Sequence, residues 1–251
     1  MSILSNWLRD LAAVVGGWFR DLIALIYPPV CPVCGRSLEP FEGSICTLCR
    51  ISAPMTYYWN EYENPVKEKF AGMVPVEQAS AMLFFVRGSG WQRLIHAFKY
   101  HHRYALAREL GRWYGTLLKE SGLYADVEAV VPLPLHPLKR LRRGYNQAEY
   151  IAEGIAEELA LPIVRGALVR RRNTLSQART PRRERAANVE GAFSVRDAKP
   201  LEGRHLLFVD DVLTTGSTLT AAIEALLAVL PDVRVSVAVL AASRKELGVD
   251  G

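Results

Sequence analysis

Residues 209–218, which read VDDVLTTGST, combine side chains and spacing that suit the binding of a charged ligand. Two adjacent carboxylates, Asp210 and Asp211, follow an apolar run and precede a turn rich in Thr and Gly. Consecutive backbone N–H groups in such a turn, at the start of a helix, form a concave anion site to which hydroxyl groups add donors. We therefore predict a phosphate site made by Thr214, Thr215, Gly216, Ser217 and Thr218.

The acidic pair suits a different part of the same ligand. Carboxylates repel phosphate, but they accept hydrogen bonds from ribose hydroxyls and face hydrated Mg²⁺ that accompanies a diphosphate. Phosphoribosyl diphosphate joins these groups in one molecule and is therefore the predicted ligand. The alternative is a strand that ends in a polar turn without a ligand, with Asp210 and Asp211 solvated. The combination of apolar strand, acidic pair, TTGST and helix in this order favours the ligand.

A second candidate site contains all the cysteines of the chain, which form two C-x₂-C pairs separated by eleven residues. The predicted ligands are Cys31, Cys34, Cys46 and Cys49. Two such pairs supply a tetrahedral thiolate site for Zn²⁺, and a segment with few apolar residues needs a metal to fold. Four thiolates leave no open position for water, so the zinc is predicted to be structural. Two disulfides, an iron–sulfur cluster and a redox C-x-x-C motif are the alternatives.

The elements that must position the ligand site alternate between strands and helices. Apolar runs predict strands over 79–86, 129–131, 206–209 and 234–241, and helical spacing predicts helices over 91–119, from Asn146 onwards and over 217–230. This alternation predicts an α/β domain with a mainly parallel sheet, whose ligands bind at the carboxyl ends of the strands. The TTGST turn and a Pro-rich loop after Val131 both follow such strand ends.

The first 27 residues predict an amphipathic helix, because apolar residues recur at helical spacing. The uncharged stretch 11–19 is far shorter than the roughly twenty residues that a bilayer span requires. An export signal is disfavoured, since Asp10 offsets the one preceding cation, Arg9. We expect a cytoplasmic protein whose helix packs on its own chain or on a partner. Peripheral binding at the inner face of the membrane is the alternative, supported by two tryptophans on the apolar face.

The chain has a formal net charge of +5, and twelve of its 31 Lys and Arg residues lie within 139–185, beside five acids. So basic a segment is predicted to be a loop. It can be a solvated surface, close over the diphosphate of a substrate, or contact single-stranded DNA. The residues proposed for the last two roles are Arg179, Arg182, Arg183 and Arg185.

The VDDVLTTGST run closely resembles the phosphoribosyl-diphosphate signature of type I phosphoribosyltransferases. The resemblance assigns Asp210 and Asp211 to the ribose hydroxyls and the TTGST turn to the 5′-phosphate. The wider order of CPVCG, CTLC, LIHAFKYHHR, VPLPLHPLKRLRRGYNQAE and VDDVLTTGST resembles the ComF family. That family joins an N-terminal zinc finger to a type I phosphoribosyltransferase-like domain and includes proteins needed for DNA uptake in natural competence.

The resemblance covers about residues 27–242 and excludes the N-terminal helix. The predicted parts are the amphipathic helix 1–27, a zinc finger over 28–54 and a phosphoribosyltransferase-like domain over 76–244. The resemblance implies that Lys99 and Arg143 lie near the diphosphate and that Asp210 and Asp211 are the catalytic acids. The family's usual Lys–aromatic–x–Gly run here reads Lys99-Tyr100-His101-His102, so its glycine is missing.

The expected function is binding of phosphoribosyl diphosphate in DNA uptake, with Mg²⁺-dependent transfer of the phosphoribosyl group to an acceptor that no motif identifies. The alternative is a non-catalytic, single-stranded DNA-binding accessory of the competence machinery. A purely structural adaptor is disfavoured, because an acidic pair and a phosphate turn offer no packing benefit.

Overall fold

The computed structural model describes residues 28–98, 104–171 and 191–249. The chain divides into two compact units, residues 1–52 and residues 53–251. The helix predicted over 1–27 lies outside the described residues, as do Lys99, Arg179, Arg182, Arg183 and Arg185. Among the described helices, none combines the length and the apolar character needed to cross a bilayer.

A parallel sheet lies at the centre of the larger unit. The described strands are β1 Ala79–Phe84, β2 Ala129–Pro132, β3 Leu168–Arg170, β4 Phe193–Val195, β5 His205–Leu213 and β6 Arg234–Ala242. Four of them form the sheet in the order β1–β6–β5–β2, with every neighbouring pair parallel, while β3 and β4 form a separate antiparallel pair. The strands of the sheet are apolar and mostly buried, as in parallel sheets covered on both faces. The predicted α/β class with a mainly parallel sheet is confirmed.

Helices connect the strands, and one of them begins near the carboxyl edge of the sheet. The described helices are α1 Thr47–Ile51, α2 Pro65–Glu68, α3 Gly90–Ala97, α4 Tyr104–Ser121, α5 Pro137–Arg143, α6 Gln147–Leu159, α7 Ser217–Leu227 and α8 Arg244–Leu247. Helices α4 and α6 pack with their backbones in direct contact. A Cβ atom at Gly111 would lie 2.2 Å from the Ile151 carbonyl oxygen, so only glycine permits this approach. Helix α6 in turn packs against β2 and β5, which fixes the position of Gln147 at its first turn.

Asn64 joins the chain that precedes β1 to that strand. The side chain is 1% exposed, and its Nδ2 donates to the carbonyl oxygens of Glu61 and Ala79, both at 2.9 Å. Its Oδ1 accepts the backbone N–H groups of Val66 at 3.0 Å and Lys67 at 3.2 Å, which caps helix α2. One buried amide therefore fixes a turn, a helix start and the edge strand of the sheet.

A partly buried polar cluster lies at the opposite, amino-terminal edge of the sheet. His205 Nε2 lies 2.8 Å from Ser236 Oγ, and His205 Nδ1 lies 3.2 Å from Asp126 Oδ1. Arg234 Nη1 donates to the other oxygen of Asp126 at 2.6 Å. The connectivity is that of a nucleophilic triad, but Ser236 is fully buried and accepts the backbone N–H of Gln78. No substrate can reach this hydroxyl. We therefore infer that the cluster has a structural role and holds strands β1, β5 and β6 together.

Candidate functional site

The acidic pair lies within the last residues of strand β5. The strand extends through Asp210 and Asp211 to Leu213, beyond the predicted end at 209, because β6 continues beside it. Both carboxylates are half-buried. Asp210 Oδ1 accepts the backbone N–H of Asp211 at 2.8 Å, and Asp211 Oδ1 accepts that of Val212 at 2.9 Å. The two acids are thus held in place at the carboxyl edge of the sheet, where the parallel-sheet rule expects a ligand.

The TTGST turn connects β5 to helix α7. Gly216 is the N-cap residue of α7 with φ +80°, a conformation that side chains other than glycine strain to adopt. The first N–H groups of a helix have no acceptor within it, so they remain available to an anion. The hydroxyls of Thr215 and Ser217 lie 2.9 Å apart and are partly exposed, and Thr214 is exposed. The turn therefore presents the predicted donors toward solvent at the sheet edge.

An apolar floor supports this turn from the chain that precedes β1. Phe70 is 1% exposed, and its ring and the Leu213 side chain lie 3.9 Å from where a Cβ of Gly216 would stand. That distance is ordinary contact, so the backbone conformation, and not space, requires glycine here. Phe70, which precedes the predicted start of the phosphoribosyltransferase-like domain at residue 76, thus contributes to the shape of the phosphate turn.

The loop after β2 is a helix where the sequence predicted only a stiffened loop. Pro137 occupies the first position of α5, His136 Nδ1 accepts the Leu138 N–H at 3.2 Å, and Gly144 ends the helix at φ +81°. Proline is tolerated at a helix start because its missing N–H would have no acceptor there. Strand β2 pairs with β5, with Pro132 opposite Val209, so this loop departs beside the acidic pair.

Two buried donors in this region have no acceptor among the described residues. Arg143 Nη1 reaches Gln147 Oε1 at 3.4 Å, but Arg143 Nε and Gln147 Nε2 are both buried without a hydrogen bond. Gln147 is 2% exposed, and it stands at the first turn of α6. A buried donor without an acceptor costs about 1–3 kcal/mol, so its retention favours a role with an anionic ligand group.

Arg170 on strand β3 interacts electrostatically with Asp210, which sequence reasoning did not anticipate. Its guanidinium lies 5.3 Å from the centre of the Phe193 ring, across the β3–β4 pair. Burial lowers the pKa of Arg170 overall, although the negative charge of Asp210 acts in the opposite direction. The RRR run at 170–172 was a visible signal of basic character, but only the fold places its first residue near Asp210.

The four cysteines come together in the smaller unit. All four are free thiols, and their sulfur atoms lie within 4.8 Å of one another. A zinc–sulfur distance of about 2.3 Å separates tetrahedral sulfurs by roughly 3.8 Å, and the sulfurs of Cys34 and Cys46 are 3.7 Å apart. Burial raises the pKa of Cys31, but backbone N–H groups, first that of Cys46, lower it overall to about 7. The donor set and spacing fit a four-thiolate zinc site.

Comparisons with known proteins match residues 141–250 to the phosphoribosyl transferase domain. DNA utilization protein YhgH of Escherichia coli K12 is 33% identical over 212 residues, which cover 82% of this chain and 87% of that protein. Competence protein F of Haemophilus influenzae is 32% identical over 130 residues, which cover 50% of this chain and 57% of that protein. Among solved structures, the glutamine phosphoribosylpyrophosphate amidotransferase of B. subtilis matches 57% of this chain and 30% of its own, with a TM-score of 0.36 and 20% identity.

Proposed function

The chain belongs to the ComF family of competence protein F and DNA utilization protein YhgH, and we propose that it binds phosphoribosyl diphosphate at the carboxyl edge of its sheet. The observation that carries this proposal is the meeting of three features at that edge. They are the TTGST turn, the half-buried acids Asp210 and Asp211, and the buried donors of Arg143 and Gln147 that lack an acceptor within the described chain. The names of these relatives support a role in DNA uptake.

Each end of the ligand then has a matching group. The N–H groups and hydroxyls of Thr214, Thr215, Gly216, Ser217 and Thr218 hold the 5′-phosphate. Asp210 and Asp211 accept hydrogen bonds from the ribose hydroxyls. Arg143 and Gln147 donate to the diphosphate, and Lys99, from its place in the sequence motif, is a further candidate for the same group. Mg²⁺ bound to the diphosphate would offset part of its charge.

This arrangement suits transfer of the phosphoribosyl group. The bond between ribose C1 and the diphosphate oxygen breaks, and the diphosphate leaves with the bonding electrons. A nucleophile of the acceptor bonds to C1, and its proton passes to the released diphosphate or to water. Asp210 and Asp211 orient the ribose, while Arg143 and Gln147 stabilise charge that develops on the leaving diphosphate. Arg170 balances the charge of Asp210 from the side of β3.

In the smaller unit, the cluster of Cys31, Cys34, Cys46 and Cys49 would hold a structural Zn²⁺ that keeps this unit folded.

Calorimetric titration with phosphoribosyl diphosphate and Mg²⁺ tests the proposal through Gln147→Leu. Hydrogen bonds to charged groups contribute about 1.5–3 kcal/mol, so this variant should bind the ligand roughly 10- to 100-fold more weakly than the parent. The melting temperature without ligand should stay near that of the parent, because removing the buried Nε2 donor, which has no acceptor among the described residues, offsets the loss of the 3.4 Å bond that Gln147 Oε1 accepts from Arg143.

Gln78→Leu is the matched control for Gln147→Leu. Gln78 is also buried, and its Oε1 also lacks a hydrogen bond within the described chain, but it lies at the start of β1, away from the candidate site. The Gln78→Leu variant should bind phosphoribosyl diphosphate with the affinity of the parent. Equal affinity of Gln147→Leu and the parent would remove Gln147 from the diphosphate site, and no binding by the parent would overturn the proposed function.

Single-stranded DNA binding is the second candidate function, favoured by the name of YhgH and by the local excess of Arg and Lys within 139–185. The triple variant Arg182→Ala/Arg183→Ala/Arg185→Ala should then bind single-stranded DNA at least about tenfold more weakly. Its affinity should also depend less on salt, because each lost phosphate contact lowers the number of counterions that binding releases. Fluorescence anisotropy across a salt series measures both quantities.

The control for this variant removes the same charge elsewhere, in Arg87→Ala/Arg196→Ala/Lys199→Ala, whose three side chains are exposed. If both triple variants lose the same affinity, DNA binding follows net charge and the choice of the basic loop is wrong.

A further inference from the structure

Glu42 carries a buried carboxylate between the two cysteine pairs. Its side chain is 2% exposed, although glutamate is almost never buried without a charged partner. Glu42 Oε1 accepts the backbone N–H of Thr47 at 2.6 Å and Arg36 Nη2 at 3.1 Å. Oε2 accepts the backbone N–H of Glu39 at 3.0 Å. The carboxylate is therefore hydrogen-bonded from three directions, which is how proteins retain a buried charge.

These bonds connect the two halves of the cysteine cluster. Arg36 lies two residues after Cys34, and its carbonyl oxygen accepts the backbone N–H of Cys31 at 2.7 Å. Thr47 directly follows Cys46 and begins helix α1. The Glu42 carboxylate thus joins the residue after the third cysteine to the turn that holds the first pair. The Arg36 guanidinium also lies beside the Cys46 sulfur.

The smaller unit needs these hydrogen bonds because its described residues form only a small hydrophobic core. The buried hydrophobic residues within 28–52 are Cys31, Val33, Ile45, Cys46 and Cys49. Three of them are candidate metal ligands, so apolar packing alone cannot hold the two pairs in register. Four thiolates around Zn²⁺ also leave a net charge of about −2, which a nearby cation offsets.

We propose that Glu42 and Arg36 are positioning residues for the metal site. Glu42 holds the two cysteine pairs at the separation that tetrahedral coordination requires, and Arg36 anchors that carboxylate and balances the charge of the thiolates. The inference rests on the proposed zinc site and assigns to these two side chains a part of its affinity. Neither residue is itself a ligand, so the coordinating set stays the same when either is changed.

The test measures zinc affinity of the full-length, reduced protein by competition with a chromophoric chelator. Loss of groups that orient metal ligands typically lowers metal affinity 10- to 100-fold, so Glu42→Gln and Arg36→Met should each bind Zn²⁺ about that much more weakly. Arg36→Lys keeps the positive charge and should bind more tightly than Arg36→Met. The double variant should lose less affinity than the two single losses combined, because the two side chains share the hydrogen bond between them.

Glu39→Gln is the matched control, because Glu39 lies in the same loop with an exposed side chain and bonds Glu42 through its backbone, whose N–H donates to Oε2 and whose carbonyl oxygen accepts the Glu42 N–H. At saturating Co²⁺, the absorption of Glu42→Gln should still show four thiolates, which separates lower affinity from loss of a ligand. If Glu42→Gln and the parent bind Zn²⁺ equally, or if Glu39→Gln loses as much, the positioning role is wrong. A parent that binds no Zn²⁺ would overturn the zinc site itself.

Discussion

Replacing both Asp210 and Asp211 with asparagine is expected to lower the affinity for phosphoribosyl diphosphate by roughly 100- to 10,000-fold. Two charge-assisted hydrogen bonds of about 1.5–3 kcal/mol each are lost, and each 1.4 kcal/mol corresponds to a factor of about ten. The asparagine side chains keep the shape of the acids. Their Oδ1 atoms can still accept hydrogen bonds from the backbone N–H groups of residues 211 and 212. The fold should therefore survive while the ribose loses its acceptors.

Calorimetric titration in Mg²⁺ measures this loss, and thermal unfolding of the same samples shows whether the variant is folded. Removing two adjacent like charges should leave the melting temperature near that of the parent, because the repulsion that is relieved offsets the lost attraction between Asp210 and Arg170. The matched control is Glu202→Gln/Asp232→Asn, which removes two exposed acids elsewhere in the larger unit. Binding by the acidic-pair variant within tenfold of the parent would contradict the assignment of these acids to ribose.

Replacing Asn64 with alanine should destabilise the larger unit by about 3–5 kcal/mol. The change removes the donor of the buried bond to the Ala79 carbonyl oxygen and of the partly buried bond to the Glu61 carbonyl oxygen, at about 1–3 kcal/mol each, and removes the cap of helix α2, at about 0.5–2 kcal/mol. For a unit of this size the melting temperature should fall by roughly 10 °C. Because Phe70 follows the same helix and supports Gly216, ligand binding should weaken as the temperature approaches the new midpoint.

Two further variants separate the parts of this effect. Asn64→Asp keeps the cap acceptor but replaces the Nδ2 donor with a buried carboxylate oxygen facing two carbonyl oxygens, so it should destabilise at least as much as alanine. Asn60→Ala changes an exposed asparagine in the same segment and should cost less than about 0.5 kcal/mol. Denaturant unfolding measures all three variants. A loss below about 1 kcal/mol for Asn64→Ala would show that water replaces the missing bonds.

Much of the fold followed from local patterns. The apolar runs at 79–86, 129–131 and 234–241 matched strands to within two residues, since a buried parallel strand needs little more than a short apolar run between turns. Helix α5 was missed, although its signals were present in Pro137, His136 and Gly144. Pro132, Pro134 and Pro137 predicted the end of a strand and a stiff loop, whereas a proline at the first helical position also favours a helix start.

The sequence by itself determined those features of the site that neighbouring residues build together. A phosphate turn such as TTGST uses consecutive N–H groups at a helix start, and a C-x₂-C pair uses one tight turn, so both depend on short-range geometry. Tertiary structure alone decided which distant groups meet. It places Arg170 beside Asp210, Asn64 against Ala79 and Phe70 beneath Gly216. Such contacts depend on strand order and on side-chain packing across many residues of separation, which no local pattern along the chain encodes.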